Sequence, residues 1–252
     1  MARIVILGSA YAVPDETHEN THLLIEEEEH KILIDCASNP VLHLKRAGVE
    51  INELTDLILT HFHPDHVSGV PLLLMDMWLT GRKSPLHIYG LSHTVERMQT
   101  VMDLFDWKSW PHFFPVFFHA LPEEEMTLFI SSSHLRLYSS PVHHLIPTIG
   151  LRIEFLHSGK SAAYSCDTEP CSQVRELARG CEVLIHEASG ASLGHSSAHQ
   201  AAQVARDADV GTLYLIHYPV ESDRNRTWVK EAKQVFEGEV YLTHDFMTIP
   251  FD

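Results

Sequence analysis

Thr60-His61-Phe62-His63-Pro64-Asp65-His66 follows the apolar run Asp56–Thr60, which reads as a strand. In extended chain, residues two apart point to the same side, so His61 and His63 can share one metal ion. Asp65 and His66 then fall in the turn that opens a helix expected from about Val67. Four metal-competent side chains within six residues can serve two adjacent ions. Imidazole and carboxylate donors suit zinc, with manganese or iron also compatible.

Histidine is the compositional outlier, at 20 of 252 residues. The formal charge is −16, and 44% of the residues are apolar, enough to build a core. An acidic chain lacks the basic footprint of a passive nucleic-acid binder. The longest apolar runs, such as Pro71–Met75, are far short of a membrane span. Met1–Val13 is broken by Gly8 and Ser9 and reads as a first strand and loop, not an export signal. Cys36, Cys166, Cys171 and Cys181 form no CxxC pair and are expected as free thiols in a reducing, cytoplasmic setting.

No repeat or linker divides the chain, so one domain over residues 1–252 is expected. Strands are expected at Arg3–Leu7, Thr21–Glu27, Lys31–Asp35, Leu86–Tyr89, Leu128–Ile130, Leu135–Tyr138, Leu151–Phe155, Ser161–Ser165, Val183–Ile185, Thr212–Ile216 and Val240–Leu242. Helices are expected at Pro40–Ala47, His93–Phe105, Gln173–Arg179, Ala198–Asp207 and Trp228–Phe236. Each half begins with strands and places helices between the later ones. That order fits two mixed sheets packed face to face with helices outside.

His61-Phe62-His63-Pro64-Asp65-His66 resembles the HxHxDH motif of the metallo-β-lactamase superfamily. Further matches point to the ribonuclease Z-like branch. Leu7-Gly8-Ser9-Ala10 with Pro14 is similar to its N-terminal Gly-rich loop, and Ile32-Leu33-Ile34-Asp35-Cys36 to its second hairpin strand. Tyr164-Ser165-Cys166-Asp167-Thr168, His186-Glu187-Ala188 and His195-Ser196-Ser197 resemble its YSGDT, HEA and HST motifs. Leu215-Ile216-His217 resembles its last metal-ligand strand. The resemblance runs over essentially the whole chain and is weakest over Pro71–Leu121. It implies an α/β fold, the four-layer αββα sandwich of two mixed β-sheets with outer helices.

The resemblance, read with the positions of the strands, implies the remaining ligands. Of the adjacent His143 and His144, the second stands at the family's spacing to Gly150 and is the one chosen. Asp167 ends a strand, where a carboxylate can bridge two cations. His217 ends the strand Thr212–Ile216 and is preferred over His244, which sits beside Asp245 at a non-ligand place of the family. One ion is therefore expected on His61, His63 and His144, and a second on Asp65, His66 and His217, with Asp167 between them. Such a pair, about 3.5–4 Å apart, shares a water, lowers its pKa and clamps a phosphoryl or carbonyl oxygen. Asp35 can orient a ligating histidine or simply close its strand. Asp65, Glu187 and His195 are expected as catalytic side chains. Glu187 would hold the tautomer of His195 and raise its pKa, so that His195 protonates the leaving group. Ser196 or Ser197 can at the same time cap the helix beginning near Ala198. His186 is expected to be structural and His199 solvent-facing.

The tRNA-gripping arm of many ribonuclease Z enzymes does not fit between Gly150 and Asp167. Tyr218-Pro219-Val220-Glu221 replaces the Arg-Tyr that follows the last ligand, and Glu19-Asn20 replaces an early Arg-Asn. These departures put tRNA in doubt and favour a small or nucleotide-type phosphodiester, with another ester (sulfate ester, lactone or thioester) as the second option and a non-catalytic metal-binding role as the third. Trp107–Leu121 carries six aromatics in fifteen residues. It can be a lid, core packing or a homodimer surface, dimers being common in the resembling branch.

Overall fold

A computed structural model describes residues 2–220 and 225–252 of the chain. Glu221, the end of the run that replaces Arg-Tyr, lies outside the described residues. The first sheet contains β1 (Arg3–Gly8), β2 (His22–Glu26), β3 (Lys31–Ile34), β4 (Asp56–Ile58), β5 (Leu86–Leu91), β6 (Val116–Leu121) and β14 (Thr248–Pro250), in the order β14-β1-β2-β3-β4-β5-β6. The second contains β7 (Thr127–Ser131), β8 (Leu135–Val142), β9 (Thr148–Phe155), β10 (Lys160–Tyr164), β11 (Val183–Glu187), β12 (Thr212–Ile216) and β13 (Glu239–Leu242), in the reverse order β13 to β7. Each sheet is antiparallel on one side and parallel on the other, the switch falling at β3 and at β10.

Alternation explains the layering. On β1, Ile4 and Ile6 face the second sheet, while Val5 and Leu7 face the helices outside. The inter-sheet layer is built from such residues, among them Ile25, Ile34, Ile58, Leu137, Ile153 and Ile185. Each fully buried Leu or Ile contributes roughly 1.5–3 kcal/mol. Outside the first sheet lie α1 (Pro40–Arg46), α3 (Val70–Leu79) and α4 (Ser92–Leu104). Outside the second lie α5 (Ser172–Ala178), α6 (Ala198–Asp207) and α7 (Asn225–Ala232). This is the αββα sandwich that the sequence pattern implies.

Differences from the sequence reading are local. The helix expected from about Val67 is two pieces, α2 (Pro64–Val67) and α3. Gly69 separates them because its N–H bonds the Cys36 carbonyl at 2.8 Å, and a Cβ there would stand 2.8 Å from that same oxygen. Part of the aromatic segment is β6, the edge of the first sheet, whose unbroken Val-Phe-Phe run gives no alternation to read. Within that segment Trp107 and Phe114 are buried, Trp110, Phe113 and Phe118 pack on the same outer core, and Phe117 is exposed. Its aromatics are thus mostly occupied in packing. No helix among the described residues is long and apolar enough to cross a membrane.

Candidate metal centre

The parallel strands bring their C-terminal ends to one rim, and the loops leaving them carry the expected ligands. After β4, the Thr60 N–H and hydroxyl both bond the Asp35 carboxylate, at 2.8–2.9 Å, which anchors the start of the histidine segment. His63 is the N-cap of α2, with Pro64 inside its first turn, so the chain turns sharply between His61-His63 and Asp65-His66. Asp35, Cys166 and His217 have φ of 60°, 53° and 52°. Non-glycine residues in this region are costly, and they cluster where surrounding contacts over-determine a functional loop.

His61 Nε2 lies 3.0 Å from His63 Nδ1, which lies 3.1 Å from His144 Nε2. These separations approach the about 3.3 Å kept by nitrogens on one tetrahedral zinc ion. A second group forms from Asp65, His66 and His217. Asp65 Oδ2 is 3.5 Å from His66 Nε2 and 3.6 Å from His217 Nε2. Asp167 Oδ2 stands between the groups, 3.9 Å from the Nε2 atoms of His61 and His144, 3.6 Å from that of His66 and 3.5 Å from that of His217. His143 is exposed and outside the cluster. His244 is exposed as well and bonds the Asp245 carbonyl through Nδ1.

The second ring nitrogens fix the tautomers. His66 Nδ1 donates to Asp35 Oδ2 at 2.7 Å, and His144 Nδ1 donates to the Gly194 carbonyl at 2.7 Å. Gly194 can approach this closely because it has no Cβ, which would stand 2.9 Å from that same Nδ1. The Ser189 hydroxyl lies 2.8 Å from both the carbonyl and Nδ1 of His217. Donating to the carbonyl, it accepts the Nδ1 proton. Each arrangement turns Nε2 towards the cluster as a lone pair.

The donor set fits divalent metal. His66 Nε2, His217 Nε2 and Asp167 Oδ1 are buried without a hydrogen-bond partner, a costly condition that a bound cation relieves. Burial would raise the Asp167 carboxyl, but His217, His66 and His61 hold it well below the usual carboxylate range. Burial drives His61 well below the usual histidine value.

Beside the cluster, buried Glu187 accepts from His195 Nδ1 at 3.0 Å through Oε1, which also takes the N–H of Ser196 at 2.9 Å and of Thr168 at 3.2 Å. Its Oε2 takes the Ser189 N–H at 2.8 Å. Burial works against a charge on His195, yet the Glu187 hydrogen bond and charge prevail and its pKa is raised. Ser197 caps α6 with Gln200 in a capping box, while Ser196 bonds the Thr168 carbonyl. His186 is buried, its Nδ1 donating to the Glu187 carbonyl. His199 is half-buried on α6, its ring against the Gln203 amide.

These residues open into a cleft of about 420 Å³, lined also by Tyr11, Ala12, Ser189 and Ser192. Sequence reasoning missed Ser189, Gly194, Ser192 and Tyr11. Each is a single small or polar residue in a loop; Ser189 follows His186-Glu187-Ala188, Gly194 precedes His195-Ser196-Ser197 and Tyr11 follows Leu7-Gly8-Ser9-Ala10, yet none belongs to the motif itself.

The family model described as Anti-Pycsar protein Apyc1 matches residues 2–241. The ribonuclease Z of Methanothermobacter thermautotrophicus is 30% identical, over 99% of this chain and 96% of its own. Among solved structures, the metallo-β-lactamase fold protein YhfI from Bacillus subtilis superposes with a TM-score of 0.84 at 21% identity, covering 98% of each chain. The short form of human tRNase Z does so with 0.78 at 22%, covering 99% of each. The chain belongs to the family described as Anti-Pycsar protein Apyc1, within the ribonuclease Z-like metal-dependent hydrolases of the metallo-β-lactamase fold.

Proposed function

We propose that the protein is a dimetal phosphodiesterase acting on small or nucleotide-type diesters. The observation that carries this reading is the position of Asp167 Oδ2, 3.5–3.9 Å from four imidazole nitrogens drawn from both ligand groups. His61, His63 and His144 would hold one ion and Asp65, His66 and His217 the other, zinc being the best match to this donor set. When bound, such a pair lowers the pKa of a shared water and offsets charge on the phosphoryl oxygens.

The chain's own residues do the rest. Asp167 offsets the repulsion between two neighbouring cations. Asp65 faces the cleft and can take the proton of the attacking water. His195 holds its Nδ1 proton on Glu187, which leaves Nε2–H to protonate the departing alkoxide. Among the described residues no Lys or Arg lines the cleft, which favours a singly charged diester over a polyanion such as tRNA. In this reading residues 1–252 act as one unit.

The test is hydrolysis of bis-p-nitrophenyl phosphate beside p-nitrophenyl carboxylate and sulfate esters and precursor tRNA, with and without chelation. The reading expects chelator-sensitive turnover with the highest kcat/KM on the diester. Preference for a carboxylate or sulfate ester, or for precursor tRNA at physiological salt, would overturn it.

A further inference from the structure

We infer that Tyr11 forms a stacking subsite in the cleft for a planar heteroaromatic group of the substrate, such as a nucleobase; this rests on the phosphodiesterase reading and narrows it.

The backbone of Tyr11 is held on both sides. Its N–H bonds the carbonyl of Tyr218, next to the ligand His217, at 3.2 Å, and its own carbonyl accepts from Asn20 Nδ2 at 2.9 Å. Ala10 just before it bridges to both Asn20 and Tyr218. The loop then leaves the protein body, with Ala12 to Thr17 exposed. Tyr11 is thus anchored through its backbone on both sides, and it lies on the cleft wall with His63, Asp65 and His217.

Among the described residues the Tyr11 ring is half-buried and makes no aromatic contact, and the hydroxyl has no hydrogen-bond partner. Tyr218, by contrast, is fully buried, with its hydroxyl on the Thr243 carbonyl. Tyrosine normally pairs its hydroxyl when buried, so a half-buried ring on the cleft wall with an unpaired hydroxyl is available to a ligand.

The surroundings favour stacking over ion pairing. Among the described residues no Lys or Arg lines the cleft to hold the non-reacting part of a substrate by charge. Apolar side chains stand next to cleft residues. Val13 follows Ala12 and Leu193 follows Ser192, and both are more than half exposed. A flat, weakly polar ring placed against a phenol suits such a mouth, and stacking of this kind tolerates different bases.

The test uses the zinc-loaded protein and two diesters with the same leaving group, thymidine 5′-p-nitrophenyl phosphate and methyl p-nitrophenyl phosphate. The inference expects wild type to prefer the thymidine ester, mainly through KM. Tyr11→Leu should cut that preference about ten-fold, and Tyr11→Phe should keep it, with metal content unchanged in both. An unchanged preference in Tyr11→Leu would overturn the subsite. An equal loss in Tyr11→Phe would overturn stacking in favour of a contact through the hydroxyl. Calorimetric binding of thymidine 5′-monophosphate against methyl phosphate gives a reading independent of turnover. If wild type hydrolyses neither diester, the phosphodiesterase reading falls, and the Tyr11 subsite stands or falls on whether Tyr11→Leu weakens thymidine monophosphate selectively.

Discussion

Glu187 Oε1 sits 3.0 Å from His195 Nδ1, with the carboxylate fully buried and the imidazole about one-fifth exposed towards the cleft. The same oxygen also takes two backbone N–H groups, so the acid is fixed in place and the histidine is oriented by it. His195→Ala should keep its metal content and lose about 10²–10⁴-fold in kcat on an alkyl diester, whose leaving group needs a proton. The loss should be far smaller on a nitrophenyl diester. Glu187→Gln should follow the same selectivity more weakly. Equal losses on both leaving groups would assign the pair a structural role.

His144 and His143 are adjacent, but only His144 reaches the cluster. His144→Ala should reduce bound metal and activity far more than His143→Ala. His217→Ala should likewise exceed His244→Ala. The reverse order in either pair, read by metal analysis, would contradict the ligand set.

Ser189 bonds His217 Nδ1 through its hydroxyl and Glu187 through its N–H. Ser189→Ala removes the first contact and keeps the second. Affinity for one of the two ions should fall about 10–100-fold, measured by competition with a chromogenic chelator. Unchanged affinity for both ions would show that His217 holds its tautomer without the hydroxyl.

His22 is fully buried and donates Nδ1–H to the Asn20 carbonyl, while His43 Nδ1 donates to its Nε2. Burial lowers its pKa from 6.5 to about 3. A depressed folded value means stability that is complete above the unfolded pKa and lost as pH falls towards the folded one. Between pH 6.5 and about 3 the unfolded chain takes a proton that the folded chain refuses. The loss is at most roughly 1.4 kcal/mol per pH unit. His22→Gln should flatten the dependence of the urea midpoint on pH in that window, and an unchanged slope would count against it.

The candidate centre was legible where its residues are close in sequence. His61, His63, Asp65 and His66 announce themselves because alternation followed by a turn puts them together. His144, Asp167 and His217 needed the family pattern, since strands far apart in sequence deliver them to one rim. Asp35 had two equal readings until its 2.7 Å contact with His66 was visible. Gly194 was out of reach because it meets His144 across fifty residues through a carbonyl that every residue carries. Among the strands, β14 spans three residues and pairs with β1 from the other end of the chain, leaving no local pattern to detect.

The most direct test of the two-metal account is metal content. Protein loaded with zinc or manganese, freed of excess ion by gel filtration and analysed by inductively coupled plasma mass spectrometry, should carry two ions per chain. A fully loaded preparation holding one ion per chain, or none, would contradict it.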